Sequence, residues 1–283
     1  MNGHAPQFDA WKGKTETLKD IAAAAPLRAL GALLDRSLDD REGAALPLPA
    51  HWLYFLPTAP QSSIDVDGHP KRGGFLPLVE LPRRMWAGSR IRCHGDVRIG
   101  APITRLSRIE DVTTKQGRAG ALVFVRVSHE LRCNGEVAIT EEQDIVYRDA
   151  PQPGAQSAPS PAPAGERWQR EIKPDPVLLF RYSAITFNGH RIHYDRPYAT
   201  EVEHYPGLVV HGPLIATLLL DLVYRNVPNA RVAEFSFKAV APLFDLQPFF
   251  VCAQPDAQTP QLIRLWAKDA DGNLATEAQV QLA

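Results

Sequence analysis

Between residues 149 and 166 the sequence reads DAPQPGAQSAPSPAPAGE. A run of Pro, Ala, Ser and Gly this long cannot bury enough apolar area to pack, and its prolines lack the donors that a strand ladder needs. It is expected to be an extended, exposed linker, which makes the chain two units rather than one. Both units end alike. In the first, ALVFVRVSHEL alternates apolar and polar residues over 121–131, Asn134-Gly135 supplies a tight turn, and EVAITEEQDIVY returns. In the second, QLIRLWAKDA leads to Asp271-Gly272, and NLATEAQVQLA closes the chain. GEVAITEEQ from Gly135 aligns with GNLATEAQ from Gly272 when one residue is gapped. An internal duplication follows, with a first half at 1–150, a linker at 151–168 and a second half at 169–283.

Upstream of each hairpin lies another strand pair, over 90–112 and 234–254, with Gly or Pro at the bends. The segment GPLIATLLLDLVYRN (212–226) is apolar on nearly every face, so it must form a helix buried all round. An earlier helix is expected over 18–36, where Ile21, Leu27, Leu30, Leu33 and Leu34 recur at helical spacing and Pro26 sits in a break or first turn. Antiparallel strands wrapped around an apolar helix give an α+β fold.

Composition removes several classes of function. Lys plus Arg number 31 against 32 Asp plus Glu, a balance without the broad basic field that nucleic-acid binding requires. Cys93, Cys133 and Cys252 are scattered, with no CxxC pair, so neither a disulfide framework nor a zinc site is indicated. No stretch reaches the roughly 18 to 20 apolar residues that span a bilayer, and 214–223 is interrupted by Asp221. The N-terminus lacks the basic start and apolar run of a signal peptide. A cytoplasmic enzyme with no membrane or nucleic-acid partner is the expectation.

Chemistry concentrates in RYSAITFNGHRIHYDRPYA (181–199), where Asn188, His190 and His193 fall within six positions. Next comes YPGLVVHGPL (205–214), in which a Gly-containing turn enters the apolar helix and free backbone N–H groups could receive a developing oxyanion. Residue by residue, His204 and His211 read as structural and Asp195 as a turn or cap residue. In the first half Arg72, Arg83, Arg84 and Arg90 surround GGFLPLVELP. They form a solvated surface, unless the substrate carries a second carboxylate, which would need a guanidinium. Trp52, Tyr54, Phe55, Phe75 and Trp86 read as core or pocket lining.

These two segments resemble the signature of the MaoC-like (R)-specific enoyl-CoA hydratases, an Asp-x-Asn-Pro-x-His loop followed by Gly-x-x-x-His-Gly. His193 falls on the family's catalytic histidine and His211-Gly212 on its His-Gly step, but Asn188 stands at the aspartate and His190 at the asparagine. The variant wording is similar to a branch containing mitochondrial 3-hydroxyacyl-thioester dehydratase and bacterial mesaconyl-C4-CoA and itaconyl-CoA hydratases. Resemblance to the bacterial members extends to HWLYFLPTAPQSSIDVDGHPKRGGFLPLVELPRRMWAG (51–88).

The resemblance implies a double hot-dog of two antiparallel sheets, each curved around a central helix, with the catalytic loop kept in the second half only. It implies hydration of a short branched dicarboxylyl-CoA, giving citramalyl-CoA. His193 would transfer the proton, Asn188 would orient water, and backbone N–H groups from Val210 to Gly212 would hold the oxyanion. His190, Tyr194, Gly207, Val210, His211, Gly212, Arg72 and Arg84 would line the substrate site. No metal or cofactor is implied, and the partners are an acyl-CoA thioester and, optionally, a second copy in a homodimer. Alternatives are a fatty-acid-synthesis dehydratase, a hot-dog thioesterase and a non-catalytic acyl-binding subunit.

Overall fold

In the computed structural model, which describes residues 2–3, 6–117, 120–149 and 159–283, period-two stretches become long strands. The first half holds β1 (Asn2–Gly3), β2 (Thr15–Ile21), α1 (Ala24–Leu34), β3 (Arg83–Cys93), β4 (Pro102–Gly117), β5 (Gly120–Cys133) and β6 (Glu136–Arg148). The second holds β7 (Trp168–Ile172), α2 (Pro176–Thr186), α3 (Gly212–Asn226), β8 (Val232–Ala239), β9 (Phe249–Pro255), β10 (Leu262–Lys268) and β11 (Leu274–Leu282). The two expected hairpins are β5–β6 and β10–β11. Asn134 and Gly135 take φ of 51° and 89°, the paired positive values of a two-residue hairpin turn.

All pairing is antiparallel, in the order β1-β4-β5-β6-β3-β8-β11-β10-β9-β7, with β2 also on β4. The two sheets of the duplication are therefore joined at β3 and β8, from Gly88↔Lys238 to Arg92↔Glu234. Gly88 permits that join, since a Cβ there would lie 2.5 Å from the Phe237 carbonyl oxygen. Joining the halves pairs two edges that would otherwise stay open.

Every residue of α3 from Leu214 to Val223 is buried, as its all-round apolar character requires. The helix lies against β7, β9, β10 and β11. Its one buried carboxylate, Asp221, accepts from Arg36 and Arg170, each at 2.8 Å, and from Arg225 at 2.6 Å. Arg36 follows α1, and Arg225 also donates to the Leu34 carbonyl, so this cluster ties the C-terminal end of α1 to α3.

The helix expected over 18–36 is shorter than its sequence suggests. Residues 15–21 alternate in exposure and pair with β4, and Ile21, 57% exposed, does not join the buried helix face. Only Leu27, Leu30, Leu33 and Leu34 carry the helical period, and Pro26 lies in the first turn. α2 was not anticipated. Asp175 caps it by accepting from the Leu178 amide at 2.8 Å, and Pro176 opens it. Part of the linker, 150–158, lies outside the described residues. Beyond it Ser160 and Ala162 bond to Leu274 and Gly272 of the last hairpin. Among the described residues no helix is long and apolar enough to cross a membrane.

Candidate active site

The loop carrying Asn188, His190 and His193 is shaped by how α2 stops. Phe187 turns left-handed at φ 48°, and the Asn188 amide returns to the Ser183 carbonyl at 2.8 Å. The Asn188 side-chain oxygen accepts from the His190 amide at 3.0 Å, which tightens the next turn. A single helical turn, Arg191–His193, then carries the chain inward. Asp195 holds the exit, paired with Arg191 at 2.7 Å and accepting from the Tyr198 amide at 3.2 Å.

His193 is buried and meets the second segment directly. Its Nδ1 lies 2.7 Å from the Val209 carbonyl oxygen, and the Val209 amide donates to Ile192 at 3.0 Å. A carbonyl only accepts, so Nδ1 carries the proton and Nε2 keeps the lone pair of the neutral ring. Among the described residues the ring's hydrogen bond is through Nδ1, and at this cluster it is the Nδ1 of His211 that is buried without a partner. Burial holds the imidazole at about 4, opposed by the bond to Val209. His193 is therefore neutral at pH 7 and able to accept a proton.

His211 stacks on His193, with centroids 3.6 Å apart and planes 19° from parallel. Burial, then the neighbouring His193 and His190 rings, depress it well below the usual histidine value. Its Nε2 lies 2.9 Å from Ser183 Oγ, and the Tyr182 ring packs edge-on at 5.0 Å. His211 is also the N-cap of α3, and Gly212 is its first residue. The Val210 amide is committed to the Leu243 carbonyl at 2.8 Å. Among the described residues those of His211 and Gly212 have no acceptor, which leaves two donors at a helix start beside the stacked rings.

The first half reaches this loop through residues that sequence reasoning did not single out. Between Ile64 and Pro70, which bridge to each other, a tight turn presents Asp67 and His69. Gly68 and Gly189 meet backbone to backbone, and a Cβ on Gly68 would lie 1.8 Å from the Gly189 carbonyl oxygen. Arg191 donates to the Asp67 and Val66 carbonyls at 2.9 and 3.0 Å. The His69 ring sits 4.1 Å from that of His190, which sits 5.4 Å from His193. Asp67, His69 and His190 offer one donor atom each within 4.8 Å of one another, a spacing open to a cation. Asp67 Oδ2 and His69 Nδ1 are instead bonded to each other at 3.0 Å.

Of the remaining expected site residues, Arg84 contributes charge to both His69 and His190 and has no ion pair among the described residues. Arg72 spends its donors on the carbonyls of Val79, Leu81 and Pro82. Tyr194 is 44% exposed and donates to the Gly189 carbonyl at 2.9 Å. Gly207 is packed where a Cβ would lie 2.7 Å from Asp245.

A separate polar cluster occupies the first half. Glu141 accepts from Ser89, Trp52 and Gln143 and lies 3.0 Å from His51 Nε2. With Arg105 and His129, Glu141, His51 and Gln143 line a cavity of about 20 Å³, room for roughly one water. Trp52 and Phe55 line it as well.

The sequence pattern of the hydroxyacyl-thioester dehydratase type 2 family matches residues 49–245. The mesaconyl-C(4)-CoA hydratase of Chloroflexus aurantiacus is 48% identical over 278 residues, covering 96% of this chain and 97% of that protein. HtdX of Mycobacterium tuberculosis superposes with a TM-score of 0.68 at 17% identity, over 94% of this chain and 98% of that one. A second M. tuberculosis protein, described as a double hot-dog, superposes at 0.57 and 13% identity, over 96% of each chain. The fused sheet is thus an α+β double hot-dog.

Proposed function

Since the chain belongs to the hydroxyacyl-thioester dehydratase type 2 family, and is accordingly a hydro-lyase of the acyl-CoA hydratase kind, we propose that it reversibly hydrates mesaconyl-C4-CoA, or the isomeric itaconyl-CoA, to citramalyl-CoA. The observation that carries the reading is His193. One ring nitrogen is fixed to the Val209 carbonyl, the other keeps its lone pair, and its ring stacks on the residue that starts α3.

Hydration asks for little more. In mesaconyl-C4-CoA, whose double bond is conjugated with the thioester, the water oxygen bonds to the β-carbon while its proton passes to the His193 Nε2 lone pair, and the double-bond electrons move onto the thioester oxygen. Itaconyl-CoA would first have to isomerise to it, losing an α-proton and gaining one at its exomethylene carbon. The amides of His211 and Gly212 would hold that enolate. Collapse of the enolate then takes the proton back from the imidazolium to the α-carbon, leaving the ring as it began. Asn188 can accept or donate a hydrogen bond but cannot carry the proton, so it orients water.

Substrate choice is supported by the kinship to the Chloroflexus enzyme and by Arg84, whose guanidinium has no carboxylate partner among the described residues and acts on His69 and His190. A distal substrate carboxylate would supply one.

The test is incubation with mesaconyl-C4-CoA, itaconyl-CoA and crotonyl-CoA, following loss of enoyl-thioester absorbance and product mass. The expected result is addition of one water to a dicarboxylyl substrate in preference to crotonyl-CoA. Release of free CoA would make the protein a thioesterase. Preference for the apolar crotonyl-CoA over both dicarboxylyl substrates would favour a fatty-acid dehydratase.

A further inference from the structure

The catalytic loop carries an amide at 188, where the family's signature places a carboxylate, and the Asn188 oxygen is occupied by the His190 amide. Among the described residues a carboxylate beside this histidine cluster, Asp67, comes from the other half of the duplication. Asp67 accepts from the His69 amide at 2.8 Å and lies 3.0 Å from the His69 Nδ1, so both of its oxygens hold one residue in place. A carboxylate only accepts when ionised, which puts the proton of His69 on Nδ1 and turns its other nitrogen into a lone-pair acceptor. The His69 ring packs at 4.1 Å on His190, and His190 stands edge-on to His193.

The placement is held by backbone, not by chance contact of side chains. Gly68 adopts φ of +90°, and the reciprocal approach of Gly68 and Gly189 leaves no room for a Cβ on either. The amide of Arg191 and its guanidinium then clamp the same turn.

Resting on the hydratase reading, we infer that Asp67 is the missing carboxylate: a positioning residue from the first half that orients His69 and, through it, stabilises positive charge on the His190 and His193 rings as the proton moves. The groups facing this relay are Arg72 and Arg84 from the first half and Tyr198 and His211 from the second half. Although burial opposes ionisation, the His69 bond and the His69 and His190 rings hold Asp67 below the ordinary carboxylate range. It is therefore an anion at working pH. The first half thereby takes part in proton handling.

The test uses the full chain and two variants. Asp67→Asn is expected to lower kcat about 10- to 100-fold with KM within about threefold. Losing the anion makes the relay less basic, so the acid limb of the kcat/KM profile moves to lower pH. Adding Asn188→Asp to that variant returns a carboxylate to the cluster and is expected to recover most of kcat. Histidine 15N spectra give a readout without turnover: Asp67→Asn changes the His69 tautomer signals and leaves the Val209-bound His193 tautomer intact.

Four results would overturn the inference. They are unchanged kcat in Asp67→Asn, a kcat loss with an unmoved acid limb and no rescue, unaltered His69 signals, and activity that a chelator removes and Zn²⁺ restores, which would make the cluster a metal centre. Absence of hydration by the unsubstituted protein on every enoyl-CoA is a different outcome. It defeats the hydratase reading, whereas the His69 spectra still report whether Asp67 sets that tautomer.

Discussion

Asp221→Asn is the substitution whose cost follows most directly from contacts in the fold. The side chain is 1% exposed and takes three guanidinium donors, from Arg36 and Arg170 at 2.8 Å and from Arg225 at 2.6 Å. An amide of the same shape keeps the packing but removes the charge and leaves three cations facing each other. Breaking a fully buried pair costs about 3–5 kcal/mol. Here the arginine side chains retain 25%, 29% and 30% exposure and can turn partly to water, so the figure is discounted. A loss of about 2–3 kcal/mol remains, or roughly 4–12 °C in Tm for a chain of this size.

Urea unfolding of both proteins at pH 7.5 measures it, with the midpoint falling and the slope unchanged. Because Arg36 belongs to the first half, Arg36→Leu in the Asp221→Asn background should cost much less than Arg36→Leu alone. A destabilisation below about 1 kcal/mol, or additive losses in the double variant, would refute the view that this carboxylate fastens the halves together.

Three further outcomes are expected. Gly68→Ala forces a side chain into left-handed backbone and against the Gly189 carbonyl, so kcat should fall while the urea midpoint moves only modestly; unaltered kcat would disconnect the turn from catalysis. Stability should decline as pH falls from about 6.5 towards 4, because burial keeps His193 and His129 unprotonated in the fold down to about 4, whereas the unfolded chain takes up those two protons from about 6.5 downward. Their folded values lie below the unfolded one, so their contribution is complete above pH 6.5 and is lost on acidification, on the order of 3 kcal/mol each at most; a urea midpoint that is flat from pH 7 to 4.5 would contradict it. Arg84→Ala should raise KM for dicarboxylyl-CoA substrates about 10- to 100-fold and spare crotonyl-CoA, and equal effects on both would remove Arg84 from carboxylate recognition.

Much of the architecture is local in the sequence. Alternation and the Asn134-Gly135 and Asp271-Gly272 turns specify the two hairpins, and all-round apolarity specifies α3. The helix over 18–36 failed because Ile21 extends the helical period by coincidence, while pairing with β4 decides the backbone of 15–21. α2 was hidden because Val177 and Phe180 face outward, at 64% and 60% exposure, leaving no apolar stripe to read. His193 and the α3 entrance are legible because they share a short segment. Asp67 and His69 are not, since their link to His190 spans both halves and depends on two glycines meeting. Asp221 reads as an interruption of an apolar helix; its partners Arg36 and Arg170 are distant in the chain.

The central claim is that one imidazole moves the proton of the hydrating water. It is tested most directly by His193→Gln, which keeps a hydrogen-bonding group near Val209 and removes the titrating nitrogen. With mesaconyl-C4-CoA as substrate, kcat/KM should fall by about 10²- to 10⁴-fold, with the urea midpoint close to that of the unsubstituted protein. Turnover within threefold of the original, in a folded His193→Gln protein, would contradict the account.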